Sequence, residues 1–275
     1  MNTDEIQFAF AFLKTEPEAA ARLLELQPGA DAATFLARAP APDAWRALQH
    51  MLPPAAAGAL EQMKVATAVD MLTRLSHSGA SAILRAMDKT AKQQVLERLP
   101  VKFKAACSLL LNYSPEEVGA WLETRLLMVS GEGSVAECLI DLKKKDRQID
   151  ASRLYVVSRN RQLRGTLSFM SLLQAHPQQA LASLLVEDTA AMRSRTGLAS
   201  ALKSPLWQQR DWVPVINRSG ELIGELYHHV LRRVLAFERR VSAAAPASLA
   251  TELYQAYGDS LAQVFDTFTD DEARL

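Results

Sequence analysis

The chain has 275 residues, 49% of them hydrophobic and 23% charged, with 31 basic and 31 acidic side chains. That length holds about two domains, and the composition excludes a disordered or fibrous protein. The charge is unevenly spread: 13 basic and 14 acidic residues in 1–125, 17 and 11 in 126–240, and 1 and 6 in 241–275. A basic centre accompanied by its own acidic tail argues against nucleic acid as a partner.

No segment approaches the roughly 20 apolar residues a membrane span needs, so no membrane insertion is expected. The first residues, MNTDEIQFAFAFLK, carry acids where a secretory signal is basic, and a cytoplasmic location is expected. Cys107 and Cys138 form neither a disulfide framework nor a metal-ligand spacing and are expected to be buried, reduced thiols.

In chain order, residues 17–125 show almost no strand signal. Punctuation recurs about every dozen residues, at Pro28, Pro40, Pro53, Lys64, His77, Asp88, Pro100 and Pro115. Between these marks, segments such as DAATFLARAP and TAVDMLTRLSH place Ala and large apolar residues at helical spacing. Helices this short are marginal alone, so the pattern predicts a stacked array, an α-solenoid. After about Arg125 the pattern changes. RLYVV (153–157) and WVPVI (212–216) read as strands, each followed by a polar turn, a second strand (LRGTLS, LIGEL) and a helix. A further helix precedes each pair, over 134–145 and 196–203. The first turn lacks Gly and should use Asn160 where the second has Gly220. The unit recurs at about 60 residues, which predicts a pseudo-symmetric α/β module. The end of the chain has apolar residues at Leu249, Leu253, Tyr257, Leu261 and Phe265, the i, i+4 stripe of a packing helix, followed by acids. This acidic tail is expected to dock on the basic module, mainly through its apolar stripe.

Together, the dozen-residue helices and the doubled RLYVVSRNRQLRGTLSFMSLL and WVPVINRSGELIGELYHHVLRRVL resemble the cytosolic half of the MgtE-type magnesium transporters, a superhelical N domain followed by a pair of CBS domains. The resemblance covers about 17–240. It implies an α plus α/β chain: an N-terminal helical superhelix (1–125), a tandem CBS-domain pair (126–186 and 187–240) and a C-terminal helix and tail (241–275). It implies regulatory Mg2+ held by acids of the arm and CBS domains, and an adenine nucleotide held by a Ser/Thr-x-x-Asp at the last helix of a CBS unit. Of the arm's acidic motif only Asp70 stands in the matching stretch Lys64–Leu72, which makes it the candidate metal ligand and predicts weak magnesium regulation. Ser168 and Ser171 occupy the Ser/Thr and Asp positions of the first unit. Arg159, Arg161 and Arg164 surround its hairpin and are the candidate phosphate contacts.

His228 and His229 point about 100° apart on a helix and cannot share a metal as an i, i+4 pair could. The sequence has no P-loop, HExxH, Gly-x-Ser-x-Gly or Rossmann fingerprint, and no catalytic residue is assigned. The apolar residues Leu167, Phe169, Leu172, Leu226, Val230 and Val234 are expected to form a homodimer interface. The expected function is that of a non-transporting, non-enzymatic regulatory or adaptor protein that binds a protein partner through its arm. The alternative is a sensor responsive to magnesium or an adenine nucleotide.

Overall fold

A computed structural model of the protein describes residues 3–144, 153–185 and 189–242. They divide into two compact units, one built on residues up to 108 and the other on 109–236. The stripe from Leu249 to Phe265 and the acidic tail lie outside the described residues.

The first unit is a run of short helices: α1 (Thr3–Thr15), α2 (Pro17–Leu24), α3 (Gly29–Arg38), α4 (Ala41–His50), α5 (Pro53–Glu61), α6 (Val65–Thr73), α7 (His77–Ala86), α8 (Lys89–Arg98) and α9 (Val101–Leu111). The punctuation residues do the separating. Pro28, Pro40, Leu52 before Pro53, Lys64, Ser76 and Asp88 hold the extended backbone that breaks one helix and opens the next. Ser76 and Asp88 also cap their helices, accepting from the Gly79 N–H at 3.1 Å and the Thr90 N–H at 2.9 Å.

Within this frame the repeat is strict. Leu24, Leu36, Leu48, Leu60, Leu72 and Leu84 recur every twelfth residue, and none is more than 2% exposed. One helical turn before each stands a buried Ala (Ala20, Ala32, Ala44, Ala56, Ala68, Ala80) on the same face. Large and small residues thus alternate along one stripe, and the small ones let helices approach closely. Helices α2 to α8 pack chiefly on the second one along, α2 on α4, α3 on α5, α5 on α7 and α6 on α8, while α1 packs on α2 and α4. At the α3–α5 approach a Cβ on Gly29 would lie 2.9 Å from the Gly58 carbonyl oxygen, so only glycine fits there. Carboxylates tie more distant repeats. Glu25 accepts from the Leu52 N–H at 2.7 Å and Glu61 from the Asp88 N–H at 2.6 Å, in each case the N–H of the residue that opens a later helix.

The second unit contains two three-stranded sheets of one design. In the first, β1 (Met128–Ser130) pairs in parallel with β2 (Arg153–Val157), which pairs antiparallel with β3 (Leu163–Ser168). In the second, β4 (Met192–Arg193), β5 (Trp212–Ile216) and β6 (Leu222–Tyr227) repeat that order and direction. Helix α10 (Val135–Lys144) connects β1 to β2, and α11 (Phe169–Gln174) follows β3. In the second half, α12 (Leu198–Leu202) and α13 (His228–Ser242) take the same places. One core gathers Leu154, Val156, Leu167 and Leu172, and another gathers Val213, Val215, Leu226 and Leu231 with Leu110, Val118 and Leu122. Between them Leu126, Tyr155, Val157 and Leu222 form a third cluster shared by both halves.

The hairpins differ from expectation at one residue. The left-handed position of the first turn is Arg161 (φ 59°), not Asn160, and its counterpart is Gly220 (φ 80°). The hydrogen bonds decide this. Ser158 N–H donates to the Gln162 carbonyl and Arg161 N–H to the Ser158 carbonyl, as Asn217 N–H donates to Glu221 and Gly220 N–H to Asn217. The turn is the same in both halves, and only one of them supplies glycine.

Candidate functional site

The residues singled out from the sequence do not gather in one place. Ser168 is the N-cap of α11: its Oγ accepts from the Ser171 N–H at 3.0 Å and lies 2.7 Å from the Ser171 Oγ, so both serines are spent on the helix start. Arg159 and Arg161 stand at the opposite end of β3, roughly 16 Å of strand away. A compact ligand does not reach both ends. The three arginines also differ among themselves. Arg159 Nη2 is 2.8 Å from Glu132 Oε2, whereas Arg161 and Arg164 are exposed and engage no side-chain partner among the described residues. What joins Arg161 is the second hairpin. The Leu222 N–H donates to the Arg161 carbonyl at 3.0 Å and the Gln162 side-chain amide to the Ser219 carbonyl at 3.3 Å.

Asp70 lies on the exposed side of α6, where both its oxygens accept from the Arg74 guanidinium, at 3.1 and 3.2 Å. Among the described residues no group of three His, Cys, Asp or Glu side chains is placed to hold a metal ion. His228 stacks on Trp207 with ring centres 4.8 Å apart, and His229 faces Tyr227 at 5.4 Å.

The expected dimer face points inward. Leu167, Leu172, Leu226 and Val234 are at most 5% exposed within the unit's own cores, and Phe169 and Val230 pack against them. Strands β3 and β6 and the helices after them turn these residues toward the sheets. What α11 shows to solvent is Met170, 61% exposed, and Leu173, 67% exposed. At the corresponding places of α13 stand His229 and Arg232, so this apolar outer face exists on one half only.

Sequence reasoning missed a buried polar cluster between the two halves. Glu225, 6% exposed in the middle of β6, accepts a hydrogen bond from the Tyr155 hydroxyl on β2 and another from the Tyr227 hydroxyl at 2.5 Å. Arg153 Nη1 on β2 reaches the same carboxylate at 2.9 Å. The guanidinium of Arg153 also lies 3.9 Å from the centre of the Trp212 ring, which meets the Tyr155 ring nearly at right angles. The only hint in the sequence is a glutamate inside a strand that is otherwise buried. Burial works against the Arg153 charge, and Glu225 and Tyr155 beside it more than restore it. Burial raises the Tyr155 and Tyr227 hydroxyls, reinforced by Glu225, Tyr227 to about 12. Both stay protonated in the fold while an unfolded tyrosine ionises near 10. Their contribution to stability is therefore complete below about pH 10 and lost as the pH climbs toward 12. In an alkaline absorbance titration these two of the five tyrosines should stay protonated through pH 10 and ionise only at the alkaline unfolding step. Uniform ionisation of all five near pH 10 in folded protein would contradict the cluster.

A run of short helical repeats followed in the chain by a doubled strand–turn–strand–helix module defines an α plus α/β architecture, an N-terminal helical domain with a CBS-like pair. The comparisons agree. Residues 15–116 match the family model of the MgtE intracellular N domain. One similar solved structure is the cytosolic domain of the Mg2+ channel MgtE in complex with ATP, 19% identical, with a TM-score of 0.56 over 82% of this chain and 97% of that one. Another is the soluble part of a magnesium transporter, 18% identical, with a TM-score of 0.59 over 86% of this chain and 98% of that one. At these identities the likeness is one of fold. No curated protein matches the sequence. Among the described residues no helix is long and apolar enough to cross a membrane.

Proposed function

We propose that the protein is a cytoplasmic regulatory or adaptor protein without catalytic activity, which dimerises through its CBS pair and binds a partner protein through its helical arm. The observation that carries this reading is the pair of apolar side chains, Met170 and Leu173, that α11 holds in solvent on one half of the module. A second copy is the occupant that buries such a patch most simply, because two-fold pairing matches the patch to itself. The sealing of the junction between halves by Glu225 and its donors supports a module that keeps its shape without a small ligand.

A second reading, a sensor of magnesium or an adenine nucleotide, draws support from the ATP complex of the similar MgtE domain and from the arginines of the first hairpin. Thermal melting separates the two. For the adaptor, millimolar Mg2+ shifts Tm by no more than the same ionic strength of sodium does, because Asp70 is held by Arg74 and a ligand stabilises only in proportion to its affinity. A magnesium-specific upshift of several degrees would favour the sensor.

A further inference from the structure

We infer that the edge where the two hairpin turns meet is a binding site for a compact ligand carrying at least two phosphoryl groups. The turns Ser158–Gln162 and Asn217–Glu221 lie side by side, joined by the Leu222-to-Arg161 backbone bond and by the approach of Gln162 to Ser219 and to Glu221. Two pockets adjoin there and share Ser219. One, of about 280 Å³, is lined by Asn112, Tyr113, Arg195 and Arg218 among others. The other, of about 440 Å³, is lined by Arg159, Asn160, Arg161 and Glu221 among others. Two neighbouring basic pockets suit two neighbouring anionic groups, and the guanidinium fork matches phosphate oxygens in geometry as well as charge.

The state of each arginine sorts the residues into supports and free binding groups. Arg159 is held by Glu132, Arg195 Nη1 lies 3.0 Å from Glu117 Oε1, and Arg193 donates to the Asn217 carbonyl at 3.2 Å. Arg161 and Arg218 are exposed, and among the described residues no hydrogen bond or ion pair engages their side chains. The one carboxylate among the pocket residues, Glu221, is already occupied by the Asn217 side-chain amide. Each turn therefore offers one uncommitted guanidinium, Arg161 at one pocket and Arg218 at the other.

Arg161 adds an independent sign. It occupies a left-handed conformation that costs an L residue energy, at the place where the twin turn uses Gly220. Fold stability alone favours glycine at both places. An arginine in a strained turn, lining a basic pocket with its charge unpaired among the described residues, fits a binding role. This site uses neither Ser168 nor Ser171 and does not depend on the adaptor reading.

Titration calorimetry at low salt with inorganic pyrophosphate, inorganic phosphate and ADP tests the proposal on the full chain. Pyrophosphate should bind, and phosphate should bind at least tenfold more weakly. Arg161→Gly should weaken pyrophosphate binding tenfold or more while its Tm stays equal to the native value or rises. Arg218→Gln should weaken it similarly, and Arg164→Gln, which lines neither pocket, should leave it unchanged. ADP should bind within a few-fold of pyrophosphate, since the phosphoryl groups carry the recognition. Absence of pyrophosphate binding at millimolar concentration, full binding by Arg161→Gly, or binding of ADP without pyrophosphate would each overturn it.

Discussion

Replacing Glu225 by alanine is expected to destabilise the second unit by about 3 to 5 kcal/mol, the usual cost of removing one partner from a buried ion pair. The side chains of Arg153 and Glu225 are only 18% and 7% exposed, so the guanidinium left behind cannot recover its lost partner from water without disturbing the packing around Trp212. The Tyr155 hydroxyl loses its acceptor at the same time, and an orphaned buried donor adds about 1 to 3 kcal/mol on its own. Tyr155→Phe should cost far less, about 1 kcal/mol, because the carboxylate keeps Arg153 and Tyr227. Urea unfolding of the two variants measures the difference. A loss below about 1 kcal/mol for Glu225→Ala would mean that the cluster contributes nothing to joining the halves.

The second large effect is in the arm. Leu72, fully buried at its place in the twelve-residue stripe, is expected to cost about 2 to 5 kcal/mol when cut to alanine. Neighbouring helices should loosen with it, because each short helix is stable only through the helices stacked on it. Leu26, of similar chemistry but 55% exposed, should tolerate the same change within about 0.5 kcal/mol. Equal effects at Leu72 and Leu26 would show that the twelve-residue stripe is not what holds the arm together.

What the sequence discloses and what it hides follow from the range of the forces involved. The repeat is legible because each of the helices α2 to α7 carries its own Ala and Leu and its own opening residue, and none of this depends on distant partners. Strands β2 and β5 are legible for the same reason, as short runs rich in β-branched and aromatic residues. The side of α11 that faces the sheet is not legible. In FMSLLQ the apolar residues surround the helix, and only packing decides that Leu172 goes in while Met170 and Leu173 stay out. The cluster at Glu225 is hidden more deeply, since Arg153 lies 72 residues from it and the two meet only through the pairing of the halves. Ser168 and Arg161 are also close in sequence, yet the length of β3 keeps them apart, a separation that only the strand's extended backbone sets.

The central claim, a CBS pair that dimerises through the outer face of α11, is tested most directly by the mass of the full chain in solution. Light scattering at micromolar concentration should give twice the 30.3 kDa chain mass, and the double variant Met170→Glu with Leu173→Glu should give a folded single chain. A native protein of one chain mass, or a charged variant that stays dimeric, would contradict it.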